Sequence, residues 1–591
     1  MMNISSINYQ QKSNFQNKTQ PKLAFGRAFT TKEMDLYQQK LDEARNLYEI
    51  TGDNNEPEKK LNNTTLILPD FYAPKGTIAS DESMKLVKLM QKLNGINVVQ
   101  GLPRGPVTKD NLSPFSSSPF EIGEHLIDLK KVGAPDLKTA YKNFKALPEN
   151  NPLKESFNSF NEENPHLERY GMLEALKEEY GTDYWPNWKG KNAELDQNLF
   201  NYDETKEIPA DKKARQEEIK ENYSDTIAFY QYKQFIANKQ HLETKENLNN
   251  EGIKFFGDCL IGFSPRDQWA FKPAFEIGKS TGCPGDGGKF NDWGLPCLDF
   301  NKLYNQDGSL GAAGTVLKKK FDVFLSNYDG ARIDAGWQLS NPHTNKGSEY
   351  QGTKMIDIME MAINDQIKNG HDIKKEDINI EALGGPDQAV NLTKNKYPHI
   401  QITRYAGDGW GRTEFYKQSM GYKLNGFTIG VGCHDDLSLI QLEKEKRNEQ
   451  AGLLARDLST SVDNAEEFRN AKFAELYTAR NQFFTAPDAI GDERRLNDPA
   501  DQKAPNWTIQ APVNYEEAYF KNLSEGKGLN TPKSLAVAIR AKMGENEQTR
   551  EILGFLDKAG RILRQPGSNS INESDKLSKS NPKALGERLQ A

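Results

Sequence analysis

Five acidic residues close or follow short apolar runs in this chain: Asp258, Asp334, Glu381, Asp408 and Asp435. Asp334 stands two positions after Arg332 in "GARIDAG". Alternate residues of a strand share a face, so this guanidinium and this carboxylate point the same way. A cation that close favours the ionised carboxylate and lowers its pKa, which suits a nucleophile. A lone Arg-x-Asp is more often a structural ion pair, so the wider pattern has to decide. The intervals are 47 residues from Asp334 to Glu381 and 54 from Glu381 to Asp435. The first suits one decorated strand–helix unit, the second two compact ones. Carboxylates crowded at one mouth repel each other, and a fold tolerates that mainly where the charges do chemistry. Retaining glycosyl transfer is such chemistry. One ionised carboxylate attacks the anomeric carbon. A second, protonated at rest and ~5 Å away, serves the leaving oxygen and then acts as a base. Trp269, Trp293, Trp337 and Trp410 offer platforms for sugar faces, although each alone reads equally well as core or rim.

These residues need a scaffold that brings distant segments together. Eight apolar runs end in Gly, Asp or Pro and precede helical patterns: "TTLILPDFY", "INVVQGLP", "IKFFGDCLIGF", "YDGARIDAG", "INIEALGG", "HIQITRYAG", "GFTIGVGCHDD" and "FFTAPDAIG". Strand and helix in alternation imply a parallel sheet. Eight units imply an α/β protein built as a (β/α)₈ TIM barrel, with catalytic groups at the C-terminal strand ends. A bare barrel needs ~250 residues, so 591 residues imply large helical and loop insertions. The main one runs from about 138 to 250, where Phe229, Tyr232 and Ile236 share a helical face that reads as core packing. Residues 1–28 read as a disordered leader and 566–591 as a disordered tail, leaving 29–565 for the barrel.

The net charge of −7 and the absence of basic clusters argue against a nucleic-acid partner. No run has the length of a spanning helix, and the first residues lack a signal peptide's apolar core, so no membrane partner is expected. Cys259, Cys283, Cys297 and Cys433 are too sparse for a disulfide framework and read as free thiols in a reducing cytoplasm. "GCPGDGGKFND" fails as a phosphate loop because Phe290 follows Lys289; it reads as a flexible active-site loop. Neighbouring residues of "CHDD" alternate in direction and cannot converge on a metal, so no metal or cofactor is expected.

Taken in order, the motifs resemble glycoside hydrolase family 77, the 4-alpha-glucanotransferases of amylomaltase or disproportionating type, within the alpha-amylase clan. "LPRGPVTKDNLSPFSSSPF", "YGTDYWPNW", "GDCLIGFSPRDQWA", "FNDWGLPCLDF", "GARIDAG", "IEALGG", "GVGCHDD" and "IGDERRLNDPADQKAPNW" match that family's segments over roughly residues 60 to 510. The resemblance implies Asp334 as nucleophile, Glu381 as general acid/base and Asp435 as the group that grips the transferred sugar's ring hydroxyls. It implies that Arg332 orients Asp334 and His434 hydrogen-bonds the same sugar. Asp258, Trp293, Asn497, Ser113, Asn291 and Asp408 complete the glucan-binding set. The implied substrates are alpha-1,4-glucans and maltooligosaccharides, with an alpha-glucan hydrolase or a weakly active glucan-binding protein as the alternatives. The chain departs from the family in five places, one of them the Gly-rich "TGCPGDGGKF", which does not resemble the usual loop. Ala335-Gly336-Trp337 replaces His-Phe-Arg after the nucleophile, and Ala382-Leu383 follows Glu381 in place of Asp-Leu. Phe115 replaces a Tyr, and Asn291 replaces a Gln.

Overall fold

The computed structural model describes residues 31–47, 61–109, 111–285, 289–347, 352–381, 397–403, 427–477, 479–499, 501 and 504–565. The proposed leader and tail, Asp408 and Trp410 lie outside these residues.

All eight expected strands are present and close into one parallel barrel. They are β1 (Thr64–Ile67), β2 (Val98–Gln100), β3 (Lys254–Cys259), β6 (Gly330–Ile333), β7 (Ile378–Glu381), β8 (His399–Ile402), β9 (Phe427–Gly430) and β10 (Asn481–Thr485). Each pairs with its sequence neighbour around the ring, β10 pairs with β1, and β3 pairs directly with β6. Strands β4 (Phe275–Pro284) and β5 (Phe290–Leu298) are the exception. They form a separate antiparallel hairpin between β3 and β6. The segment expected as a flexible loop is therefore mostly ladder, although residues 286–288 lie outside the described set.

The barrel strands are short and buried on both faces: every residue of β1, β6 and β7 is buried. That is the environment of a parallel sheet wrapped by helices, and it explains why these runs are apolar rather than alternating. The helices are cued locally. Asp81–Asn94 begins at Ser80, whose side chain accepts from the Ser83 N–H, and Ser438 and Gln441 form a capping box ahead of Leu439–Asp457.

The insertion is part of the same body. Its long helix Ser224–Asn250 packs Tyr232, Phe235 and Ile236 against Tyr141 and Phe144, with Phe229 beside them, as expected for core. Leu173, Leu176, Trp185 and Trp188 join one apolar cluster with Trp269, Phe321, Ile333 and Ile380 of the barrel wall. Among the described residues no helix is long and apolar enough to cross a membrane, and all four cysteines are free.

Candidate active site

The register of β3, β6 and β7 sets the centre of the site. Asp258 pairs with Arg332 across β3 and β6, and Arg332 with Asn379 across β6 and β7. Two residues further along, Asp334 and Glu381 reach the same level on the same face. Arg332, 4 % exposed at its side chain, becomes the hub. Its Nη1 donates to Asp258 Oδ1 and Oδ2 at 2.7 and 2.8 Å and to Asp334 Oδ1 at 3.0 Å. Its Nη2 lies 2.7 Å from Glu381 Oε1. Glu381 Oε2 accepts from the Ala335 N–H at 2.8 Å.

The opposite side of the mouth comes from the loop after β9 and from the segment beyond β10. Asn497 Nδ2 donates to Asp435 Oδ1 at 2.5 Å, and Arg495 Nη2 donates to the Asp435 carbonyl at 2.5 Å. His434 Nε2 lies 3.5 Å from Asp435 Oδ2. Phe115 stacks on the His434 ring at 4.8 Å, and Trp507 closes against both rings. Burial holds His434 down at about 3, helped by the charge of Arg332, so its ring is neutral. Among the described residues its Nδ1 has no hydrogen-bond partner.

One guanidinium cannot neutralise three carboxylates, and the electrostatics follow from that shortfall. Burial pushes Asp334 up to about 7; Arg332 opposes the rise, while Glu381 and Asp435 add to it. Arg332 lowers the Asp334 pKa as expected, but the cation is shared and desolvation wins, so the net shift is upward rather than downward. Asp258 is raised strongly by burial, again against Arg332. Asp435 is raised by burial and held back by its Asn497 hydrogen bond. Its side chain nevertheless keeps 41 % of its surface open, so desolvation there is partial. The side chain of Asp334 is 18 % exposed and that of Asp258 is wholly buried. Asp334 and Asp435 thus face the cleft, whereas Asp258 lies beneath Arg332. The Asp258 side chain exposes no surface in this arrangement, and both of its oxygens accept from Arg332.

Backbone shape accounts for Gly336 after Asp334. Ala335 lies in the left-handed region at φ 42°, and this turn aims its N–H at Glu381. A Cβ on Gly336 would come within 2.4 Å of Ile380 Cγ2 and 3.2 Å of the Glu381 carbonyl oxygen, so only glycine fits there. Trp337 and Trp293 then meet edge to face at 6.4 Å.

Other expected residues fall elsewhere. Trp269 is fully buried, with Nε1 donating to the Asp196 carbonyl, and is a core residue rather than a sugar platform. Trp185 and Trp188 are likewise buried, each indole N–H satisfied by a backbone carbonyl. Asn291 is exposed on the hairpin beside Cys283. Ser113 starts the turn Pro114–Ser116 that carries Phe115, with no side-chain cap hydrogen bond. Trp507, Arg495 and Gln338 were not anticipated. Trp507 stood in view within "APNW", but its place against His434 depends on a backbone at φ 62° that no composition signals.

The family profile described as 4-alpha-glucanotransferase matches residues 134–514. A 4-alpha-glucanotransferase of Clostridium butyricum is 26 % identical over 424 residues, which is 64 % of this chain and 75 % of that protein. An amylomaltase from Streptococcus agalactiae, solved with acarbose, superposes with a TM-score of 0.62 at 17 % identity, over 79 % of this chain and 99 % of that one. The amylomaltase from Corynebacterium glutamicum does so with a TM-score of 0.57 at 12 % identity, over 86 % and 77 %. These two structures share the fold.

Proposed function

The chain belongs to the 4-alpha-glucanotransferases of glycoside hydrolase family 77, and on that premise we propose that it moves alpha-1,4-glucan segments between maltooligosaccharides through a glycosyl ester on Asp334. The observation that carries the reading is the grip of Arg332 on Asp258, Asp334 and Glu381, with Asp435 and His434 facing them.

In the first step an Asp334 oxygen forms a bond to the anomeric carbon as the glycosidic C–O bond breaks, and Glu381 gives its proton to the leaving 4-oxygen. In the second step Glu381 takes the proton of an incoming 4-hydroxyl, whose oxygen displaces Asp334. Both Glu381 oxygens accept hydrogen bonds in the unliganded site. Delivering a proton therefore requires one of them to be released when glucan enters. The exposed face of Asp435 and the neutral His434 suit the ring hydroxyls of the transferred sugar, where contacts that tighten at the oxocarbenium stage lower the barrier. Asn497, bonded to Asp435, and Trp293, beside Trp337, suit further contacts to the glucan. The four free thiols fit a cytoplasmic enzyme.

Maltotriose tests the reading. Transfer releases glucose together with a ladder of longer maltooligosaccharides at nearly constant total reducing ends. Reducing ends that rise in step with substrate loss, with no longer product, would make the protein a hydrolase.

A further inference from the structure

We propose that Gln338 is a positioning residue: it locks the β4–β5 hairpin onto the turn after Asp334, and so favours a sugar hydroxyl over water at the glycosyl-enzyme. The second half of the inference rests on the transferase reading above; the first half does not.

Gln338 is 2 % exposed. Its Nε2 donates to the Gly282 carbonyl on β4 at 2.6 Å, and its Oε1 accepts from the His343 N–H at 2.8 Å. The partners fix the amide's orientation, since a carbonyl can only accept and an N–H can only donate. The Gly282 N–H in turn donates to the His343 carbonyl at 3.1 Å, Thr281 bridges Thr344, and Asn345 N–H donates to the Ser280 carbonyl at 3.1 Å. Gln338 thus sits between two backbone segments and is bonded to both.

Its attachment point lies at one of the two irregularities of the hairpin ladder. The β4–β5 register shifts between Thr281 and Gly282, so the ladder is interrupted where Gln338 takes the carbonyl. A Cβ at Gly282 would lie 2.1 Å from the Asn291 carbonyl oxygen, which leaves the two strands in close contact beside the anchor. The hairpin carries Trp293, whose ring meets Trp337, the residue just before Gln338. One turn of five residues therefore follows the nucleophile, bonds the acid/base through the Ala335 N–H and anchors the hairpin through Gln338.

The consequence concerns the second chemical step. The anomeric carbon of the sugar esterified to Asp334 is attacked by a glucan 4-hydroxyl or by water. In either case the C–O bond to Asp334 breaks, a new C–O bond forms and the proton goes to Glu381. Water stands at roughly 55 M, so a wall that stays closed decides the outcome. A hairpin freed from the turn admits water without altering the attacking carboxylate.

The test compares wild type, Gln338→Leu and Gln338→Glu by hydrogen–deuterium exchange and by maltotriose products. In Gln338→Leu, exchange of amides in 275–285 and 289–298 should rise by about tenfold or more, and the hydrolysed share of turnover by about threefold. Gln338→Glu keeps the acceptor for His343 but sets a carboxylate oxygen against the Gly282 carbonyl in place of the donor, so both readouts should rise above wild type. Should Gln338→Leu fail to fold, Gln338→Glu against wild type carries the same comparison. Unchanged hairpin exchange overturns the lock. Raised exchange with an unchanged share of hydrolysis overturns its role in transfer. A wild type that only hydrolyses sinks the transferase reading and the partition claim together, while the exchange arm still judges the lock.

Discussion

Asp334 carries the sharpest residue-scale expectations. As the attacking group it should be indispensable, so Asp334→Asn should lower kcat on the order of 10⁴-fold with the fold retained; a tenth of wild-type activity would exclude it as nucleophile. Its pKa, pushed up to about 7 by burial among like charges, sets the pH dependence. Asp334 attacks only when deprotonated, so kcat/KM should fall as pH drops through about 7, whereas a rate flat down to pH 5 would contradict the crowded site. Stability should follow the same group with the opposite sense. A carboxyl raised from ~3.9 in the unfolded chain to about 7 binds its proton more tightly when folded, so its contribution to stability declines as pH rises through that window. Asp334→Asn should therefore raise the Tm at pH 8 by on the order of 2 °C, with the gain vanishing towards pH 4; thermal scans at the two pH values check it.

At the scale of elements, the sequence was informative where a catalytic residue closes its own strand. Arg332, Asp334 and Glu381 were found because each belongs to a short apolar run, and the strand period alone puts Arg332 and Asp334 on one face. The sharing of Arg332 among three carboxylates was not legible. It arises from the register between β3, β6 and β7, which no single run encodes. The hairpin was missed for a related reason: "TGCPGDGG" reads as loop chemistry, and the partners that hold it lie some 55 residues later, around Gln338 and His343. The turn after Asp334 gives the element-scale prediction. Gly336→Ala should drive a methyl into Ile380 and shift the backbone of Glu381. A cost of about 1–3 kcal/mol in stability and a loss of activity well beyond that of Ala335→Gly are expected. Equal stability and activity in both variants, read by thermal unfolding and maltotriose turnover, would mean that the close approach is relaxed in solution.

Across the whole molecule, the insertion and the barrel share one apolar cluster in which Trp185, Trp188 and Trp269 are core residues. Removing 138–250 should expose that surface and leave an insoluble chain, and thermal unfolding of the intact protein should show one main transition, because Leu173, Leu176, Trp185 and Trp188 pack in one cluster with Phe321, Ile333 and Ile380. Two well-separated transitions would mean that the insertion folds as its own domain. The shared core also explains how a decorated barrel holds acidic groups together at its strand ends: the strands are packed on their outer faces, and burial raises Asp258, Asp334 and Asp435 instead of parting the strands. The central claim is that transfer passes through a sugar bound covalently to Asp334. The direct measurement is peptide mass spectrometry of Glu381→Gln after rapid quenching with an activated alpha-glycosyl donor, which needs no acid for the first step but still needs the base for the second. The account predicts a single glycosyl adduct on the peptide that contains Asp334, absent in Asp334→Asn. An adduct on another carboxylate, or steady turnover with no adduct and inverted product, would contradict it.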